Sequence, residues 1–291
     1  MKKLLIGLML LGTVGCTRPS EFIPTATVKI TNMAENSGGS GTVVNSTETL
    51  SMILTNRHVC KVVEHGGLVH LLDGRKLSVT AFKMSNRHDL CAIFVSAHAG
   101  PSASVSRTAP LRFDHATTSG HPHLLPVIIT RGHFSDKLHV QIIMGLRDCT
   151  EAEKSNPNTG FICAMTGKLP VVGEFESIVV STTIQPGSSG SGIYGEENQI
   201  SAVVFAGSGD LGYALAVPHE YVYNFLFKEL DNLNPIAPKA EDGVAAAPSS
   251  TAEDKEQILK KIEDVCKTHK DNSLCKAFNT ALNYDDLVEE L

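Results

Sequence analysis

Three short strings carry residues able to do covalent chemistry on a carbonyl, and they come in the order histidine, aspartate, serine. The first is Ile53-Leu54-Thr55-Asn56-Arg57-His58-Val59-Cys60, preceded by a glycine-rich stretch, Gly38-Gly39-Ser40-Gly41-Thr42-Val43-Val44. The second is Arg87-His88-Asp89-Leu90-Cys91-Ala92-Ile93, and the third Gln185-Pro186-Gly187-Ser188-Ser189-Gly190-Ser191-Gly192-Ile193-Tyr194. A serine hydroxyl is a weak nucleophile until a base takes its proton, and imidazole titrates where it can do so near neutral pH. A carboxylate on the other ring nitrogen fixes the tautomer and stabilises the imidazolium. His58, Asp89 and Ser189 supply one of each. Singly, each has a plainer reading. A Gly-x-Ser-Gly string is commonest as a loop, a lone histidine near an apolar strand is usually structural, and Asp89 can cap a strand or pair with Arg87. Together and in order they favour nucleophilic catalysis. His121-Pro122-His123 offers two imidazoles without further ligands of recognised spacing, so it reads as a solvated loop. No metal or other cofactor is expected.

The elements that must hold these strings read mostly as strands. Thr25–Ile30, Gly41–Val44, Met52–Leu54, Ala92–Val95, Val127–Thr130, Ile178–Val180 and Ser201–Phe205 are short, β-branched runs bounded by Gly, Ser, Asn or Pro. That is the pattern of an all-β sandwich or barrel. Pro218–Leu230 has helical spacing at Val222, Phe225, Leu226 and Leu230 and closes this domain, which spans 26–230. Residues 231–252, rich in Pro and Ala, read as a linker. Residues 253–291 read as a helical hairpin tail, with Ile258, Ile262 and Val265 on one face of its first helix.

At the other end, Lys2 and Lys3 precede an apolar run, Leu4 to Leu11, and then Gly12-Thr13-Val14-Gly15-Cys16. A positive start, a short apolar core and small residues before a cut describe a secretory signal peptide over 1–16. The run is too short to span a membrane. Gly15-Cys16 resembles a bacterial lipobox, although Thr13 stands where that motif carries Leu or Val. Lipidation at Cys16 would anchor the mature chain to a membrane through a tether, 17–25. The expected location is therefore exported: the bacterial cell envelope, periplasm-facing, or secreted. Setting Cys16 aside leaves six of the seven cysteines, in a compartment where disulfides persist. Local pairing gives Cys60–Cys91, Cys149–Cys163 and Cys266–Cys275, one connectivity among many. A net charge of −6 gives no basic footprint for nucleic acid. The 291 residues suffice for a substantial core, and nothing here fixes an oligomeric state.

The three strings resemble the motifs of the trypsin-like serine proteases, above all the bacterial high-temperature-requirement branch. In that branch the histidine follows an Ile-Leu-Thr-Asn strand, the aspartate begins an Asp-Leu-Ala strand, and the serine lies in Gly-Asn-Ser-Gly-Gly. Ser119-Gly120-His121-Pro122 and Ile129-Thr130-Arg131-Gly132 resemble that branch's Gly-x-Pro and Thr-x-Gly pieces, so the likeness runs over about 26–226. It implies the chymotrypsin fold, two six-stranded Greek-key β-barrels, here with a short helical C-terminal tail. It implies a triad of His58, Asp89 and Ser189 acting on a polypeptide, with the Gly187 and Ser189 amides as oxyanion hole. It places the primary pocket near Thr183, Phe205, Gly207 and Gly212. The tail is too short for a PDZ module. Ser188 stands where zymogen-activated members carry Asp, and no activation sequence is present, so no such cleavage is expected. Ser191 replaces the usual second glycine. With no acid between Ser177 and Ser189, a small or medium apolar residue is the expected cleavage preference. A competing reading is a catalytically silent protease-fold binding module.

Overall fold

The structure, a computed structural model, describes residues 24–239, 260, 262–264, 266 and 267. The signal peptide and Cys16, most of the linker, Cys275 and most of the tail lie outside the described residues.

Among the described residues, thirteen strands form two halves. The first holds β1 (Thr27–Asn32), β2 (Gly38–Ser46), β3 (Ser51–Thr55), β4 (Gly67–His70), β5 (Lys76–Ser78), β6 (Ala81–Met84) and β7 (Cys91–Val95). They make a seven-stranded sheet in the order β5-β4-β1-β2-β3-β7-β6. The second half holds β8 (His115–Gly120), β9 (Ile128–Asp148), β10 (Lys168–Val180), β11 (Gly192–Tyr194), β12 (Ile200–Ser208) and β13 (Tyr213–Pro218). These close into a six-stranded barrel, β10-β13-β12-β11-β8-β9. The all-β, chymotrypsin-like architecture is thus present, with seven strands rather than six in its first half. The edge strand β6 pairs with β7 on one side and bridges Ile236 across its other edge.

Each half has its own apolar filling. Val28, Ile30, Val43, Ile53, Val69, Phe82 and Ile93 are buried inside the first sheet. Phe134, Ile178, Ile193, Val204 and Ala214 fill the barrel, and Leu54, Leu90, Tyr194, Val203 and Phe225 pack between the halves. This is the ordinary consequence of strands whose alternate side chains face a common core.

β9 and β10 are much longer than the short strands their apolar runs suggested, with 21 and 13 residues. They pair far beyond the barrel and carry α2 (Glu151–Lys154) and α3 (Gly160–Thr166) at their tip. A capping box opens α2: the Thr150 side chain accepts from Glu153 N–H and the Glu153 carboxylate accepts from Thr150 N–H, a reciprocal pairing that satisfies two orphan donors. A Cys149–Cys163 disulfide closes the tip. Ile162, Cys163 and Leu169 bury Ile262 and Cys266 of the tail against them.

The helix expected over Pro218–Leu230 is α4 (His219–Asn224), continuing as a π-helix, Phe225–Glu229, and a 3-10 turn, Leu230–Asn232. Residues 231–239 were expected to belong to a linker. Ile236 exchanges two backbone hydrogen bonds with Phe82, and Lys239 bonds the Glu64 carbonyl through its N–H and the Glu64 carboxylate through Nζ. Residues 231–239 are therefore held to the domain, because the free edge of β6 offers unpaired backbone groups to them. Among the described residues no helix is long and apolar enough to cross a membrane.

Candidate active site

Antiparallel pairing explains why residues 31 positions apart in sequence meet. β3 pairs with β7 in a register that sets Thr55 opposite Cys91. The chain leaving β3 and the chain entering β7 are therefore neighbours, and these carry His58 and Asp89. His58 sits at the start of a short helix, α1 (Arg57–Val62). Its Nδ1 lies 2.7 Å from Asp89 Oδ2, and its backbone N–H donates to Oδ1 at 3.0 Å. Asn56, buried in the turn before the helix, donates from Nδ2 to the Asp89 carbonyl at 2.8 Å. The Cys60–Cys91 disulfide ties the same two segments two residues beyond each functional side chain.

Asp89 is buried whereas the His58 side chain keeps 44% of its exposure. Burial alone pushes the Asp89 carboxyl up. The His58 charge, the His58 side-chain and backbone hydrogen bonds and an Arg57 amide outweigh it, so Asp89 is held below the ordinary carboxylate range. Ionised, it can only accept, so Nδ1 carries the imidazole proton and Nε2 presents a lone pair.

β2 brings the third residue in. Ser40 N–H donates to the Ser189 carbonyl at 2.7 Å. Gly39 lies between Ser189 and the helix of His58: a β-carbon there would stand 2.7 Å from Val59 Cγ2 and 2.8 Å from the Ser189 carbonyl oxygen. Only glycine lets the two strings approach this closely. Ser189 is half-buried, and among the described residues no hydrogen bond joins its Oγ to the His58 ring. Such bonds commonly tighten only when substrate is present.

Gln185-Pro186-Gly187-Ser188 is a β-turn closed by Ser188 N–H to the Gln185 carbonyl at 2.9 Å, with Gly187 at φ +90°. Proline second and a left-handed glycine third make it type II. The Ser188 hydroxyl accepts from Gln185 N–H at 3.2 Å, capping the turn from within. His123 N–H donates to the Pro186 carbonyl; in a trans peptide the Gly187 N–H then points the opposite way. Ser188, Gly190 and Ser191 N–H each have a carbonyl acceptor, whereas among the described residues Gly187 and Ser189 N–H donate to none. Two unpaired amides beside a nucleophile are what a developing oxyanion needs.

The pocket residues fare differently. Thr183 is exposed and its carbonyl accepts from Thr130 Oγ1. Phe205 is buried in the core, its ring 6.1 Å from that of Phe175. Gly212, at φ +68°, has nothing near its missing side chain. At Gly207 a β-carbon would lie 2.7 Å from Ile184 Cδ1. Ile184, buried in the barrel core, packs against Gly207.

Behind the turn, Thr118, Gly120, Thr183, Ile184, Ser188 and Ser191 line a cavity of about 160 Å³. Ser191 Oγ lies so close to the Gly120 α-carbon that any side chain at 120 would collide with it. A larger concavity, about 630 Å³, lies between Val44, Met52, Val105, Arg107, Leu226 and Phe227 and includes none of the candidate residues. No cluster of three metal-ligating side chains occurs among the described residues.

The fold is shared with solved proteases of low sequence identity. A serine endoprotease from Yersinia pestis superposes with a TM-score of 0.52 at 18% identity, over 72% of this chain and 64% of that one. An inactive-form mutant of a Mycobacterium tuberculosis H37Rv protein gives 0.51 at 17%, over 70% and 86%. An HtrA-type protease with a tripeptide gives 0.52 at 18%, over 72% and 61%. The chain thus spans less than two thirds of the Yersinia and HtrA-type proteins. No curated protein matches it by sequence. The model of the family described as trypsin-like peptidase domain matches residues 39–203, more than half of the chain. The chain belongs to that family.

Proposed function

We propose that the chain is a serine endopeptidase that hydrolyses peptide bonds through an acyl-enzyme. Ser189 Oγ attacks the scissile carbonyl as His58 Nε2 takes its proton. The oxyanion is received by the Gly187 and Ser189 amides, and His58, stabilised by Asp89, returns the proton to the leaving amine. Water then deacylates Ser189 by the same route. The observation that carries this reading is the junction at Gly39: it sets the His58–Asp89 pair against a serine whose neighbouring amides are unpaired. The small cavity that Thr183 and Ile184 line behind the turn supports a preference for small apolar side chains before the cut. The N-terminal pattern ending at Cys16 supports an exported enzyme tethered to the cell envelope by a lipid, the family supports polypeptides as substrates, and the net charge of −6 argues against a nucleic-acid partner.

The test is a fluorophosphonate serine-hydrolase probe applied to wild type and Ser189→Ala. Covalent labelling of wild type that vanishes in the variant is expected. Folded wild type that takes no label would favour a binding scaffold instead.

A further inference from the structure

We infer that Ser40 is a positioning residue that sets the oxyanion-binding turn; the inference rests on the serine-protease reading above. Ser40 is 0% exposed and uses all of its polar groups on other segments. Its hydroxyl accepts from His121 N–H at 2.8 Å and donates to the Gly187 carbonyl at 2.7 Å. Its N–H donates to the Ser189 carbonyl at 2.7 Å, and its own carbonyl accepts from Thr55 Oγ1 at 2.7 Å. One residue thus grips the carbonyls of both residues whose amides face the nucleophile.

The geometry gives this grip a direction. A hydroxyl has one proton, and because the His121 N–H can only donate to it, that proton is committed to the Gly187 carbonyl. Holding that carbonyl fixes the peptide on the far side of Gly187, while His123 N–H fixes the Pro186 carbonyl on the near side. Gly187, left-handed and able to rotate freely, would otherwise allow either peptide to turn. The bracing loop is itself constrained: His123 and Leu124 both have positive φ, 50° and 56°. Non-glycine residues hold such angles only where their surroundings over-determine them. The Ser40 hydroxyl links that loop to the turn. It acts through Gly187 and touches no reacting atom.

The experiment compares Ser40→Ala and the near-isosteric Ser40→Cys with wild type. Active sites are counted with a fluorophosphonate, and rates are measured on a peptide substrate. Both variants are expected to keep KM within about twofold while kcat per labelled site falls about ten- to a hundredfold. Affinity for a peptidyl trifluoromethyl ketone, whose adduct places an oxyanion on the two amides, should fall by the same factor. A merely structural role would lower the melting temperature and the labelled fraction but leave kcat per site and ketone affinity unchanged; that result overturns the inference and leaves the protease reading intact. Wild type that takes no label sinks the protease reading and this inference with it.

Discussion

Gly39→Ala adds one methyl group at the point where the turn carrying Ser189 and the histidine's helix touch. Its carbon would stand 2.7 Å from Val59 Cγ2 and 2.8 Å from the Ser189 carbonyl oxygen, roughly 0.7 Å inside ordinary van der Waals separation. Neither neighbour gives easily. Val59 is buried in the first half's core next to His58, and the Ser189 carbonyl is pinned by Ser40 N–H. Relief must therefore come from moving α1 and the 187–189 turn apart. A displacement of this size at reacting groups costs about a hundredfold in rate, and the overpacking itself about 1–3 kcal/mol of stability. The assay is kcat/KM on a chromogenic peptide together with urea denaturation of the same preparation. A drop of about two orders of magnitude in an enzyme that remains folded is expected. Activity and midpoint both equal to wild type would refute the reasoning, since they would mean the two strings do not meet at Gly39.

Three further outcomes follow from the same geometry. Asp89→Asn retains one oxygen for the two hydrogen bonds that Asp89 now accepts from His58 and permits the wrong imidazole tautomer; kcat should fall about 10⁴-fold with the fold intact by circular dichroism. Ile184→Ala should enlarge the small cavity behind the turn that it lines and raise kcat/KM for larger apolar side chains relative to alanine by about tenfold or more, measured across a series of peptides varied at that one position. Burial holds His70, His88 and His121 below the ordinary imidazole value of 6.5, and His121 Nε2 is buried without a partner among the described residues. The folded state then binds fewer protons than the unfolded one, so this stability is fully present above pH 6.5 and is lost as pH falls below it. Urea midpoints between about pH 8 and pH 5 should decline accordingly, and less steeply in His121→Asn.

The candidate triad was legible because each member sits in a contiguous string whose residue types state its chemistry. The strands were legible as short apolar runs, but only their cores: β9 and β10 extend far past Thr130 and before Ile178 through polar, alternating residues that resemble loop. The box at Thr150 and Glu153 was a readable helix start, overshadowed by the turn-forming Ser155-Asn156-Pro157-Asn158 that follows. Ile184 was missed as a lining residue because nothing in the Thr183-Ile184 pair marks which of the two side chains faces the cavity that both line. Ser40 was invisible for a different reason. Its partners lie 81 and 147 residues away in sequence, and nothing local marks a serine in a glycine-rich strand as the holder of a distant turn. Likewise the pairing of Ile236 with Phe82 depends on which sheet edge is left free, a property of the assembled halves.

The central claim is that Ser189 becomes acylated with the help of His58. Mixing the enzyme with a p-nitrophenyl ester and following the first turnover by stopped flow tests it directly, with mass spectrometry of the acid-quenched digest locating the acyl group. The account predicts a burst of one nitrophenol per active site, an acyl group on the peptide containing Ser189, and loss of both in His58→Ala. Hydrolysis with no burst, or an acyl group carried by any other residue, would contradict it.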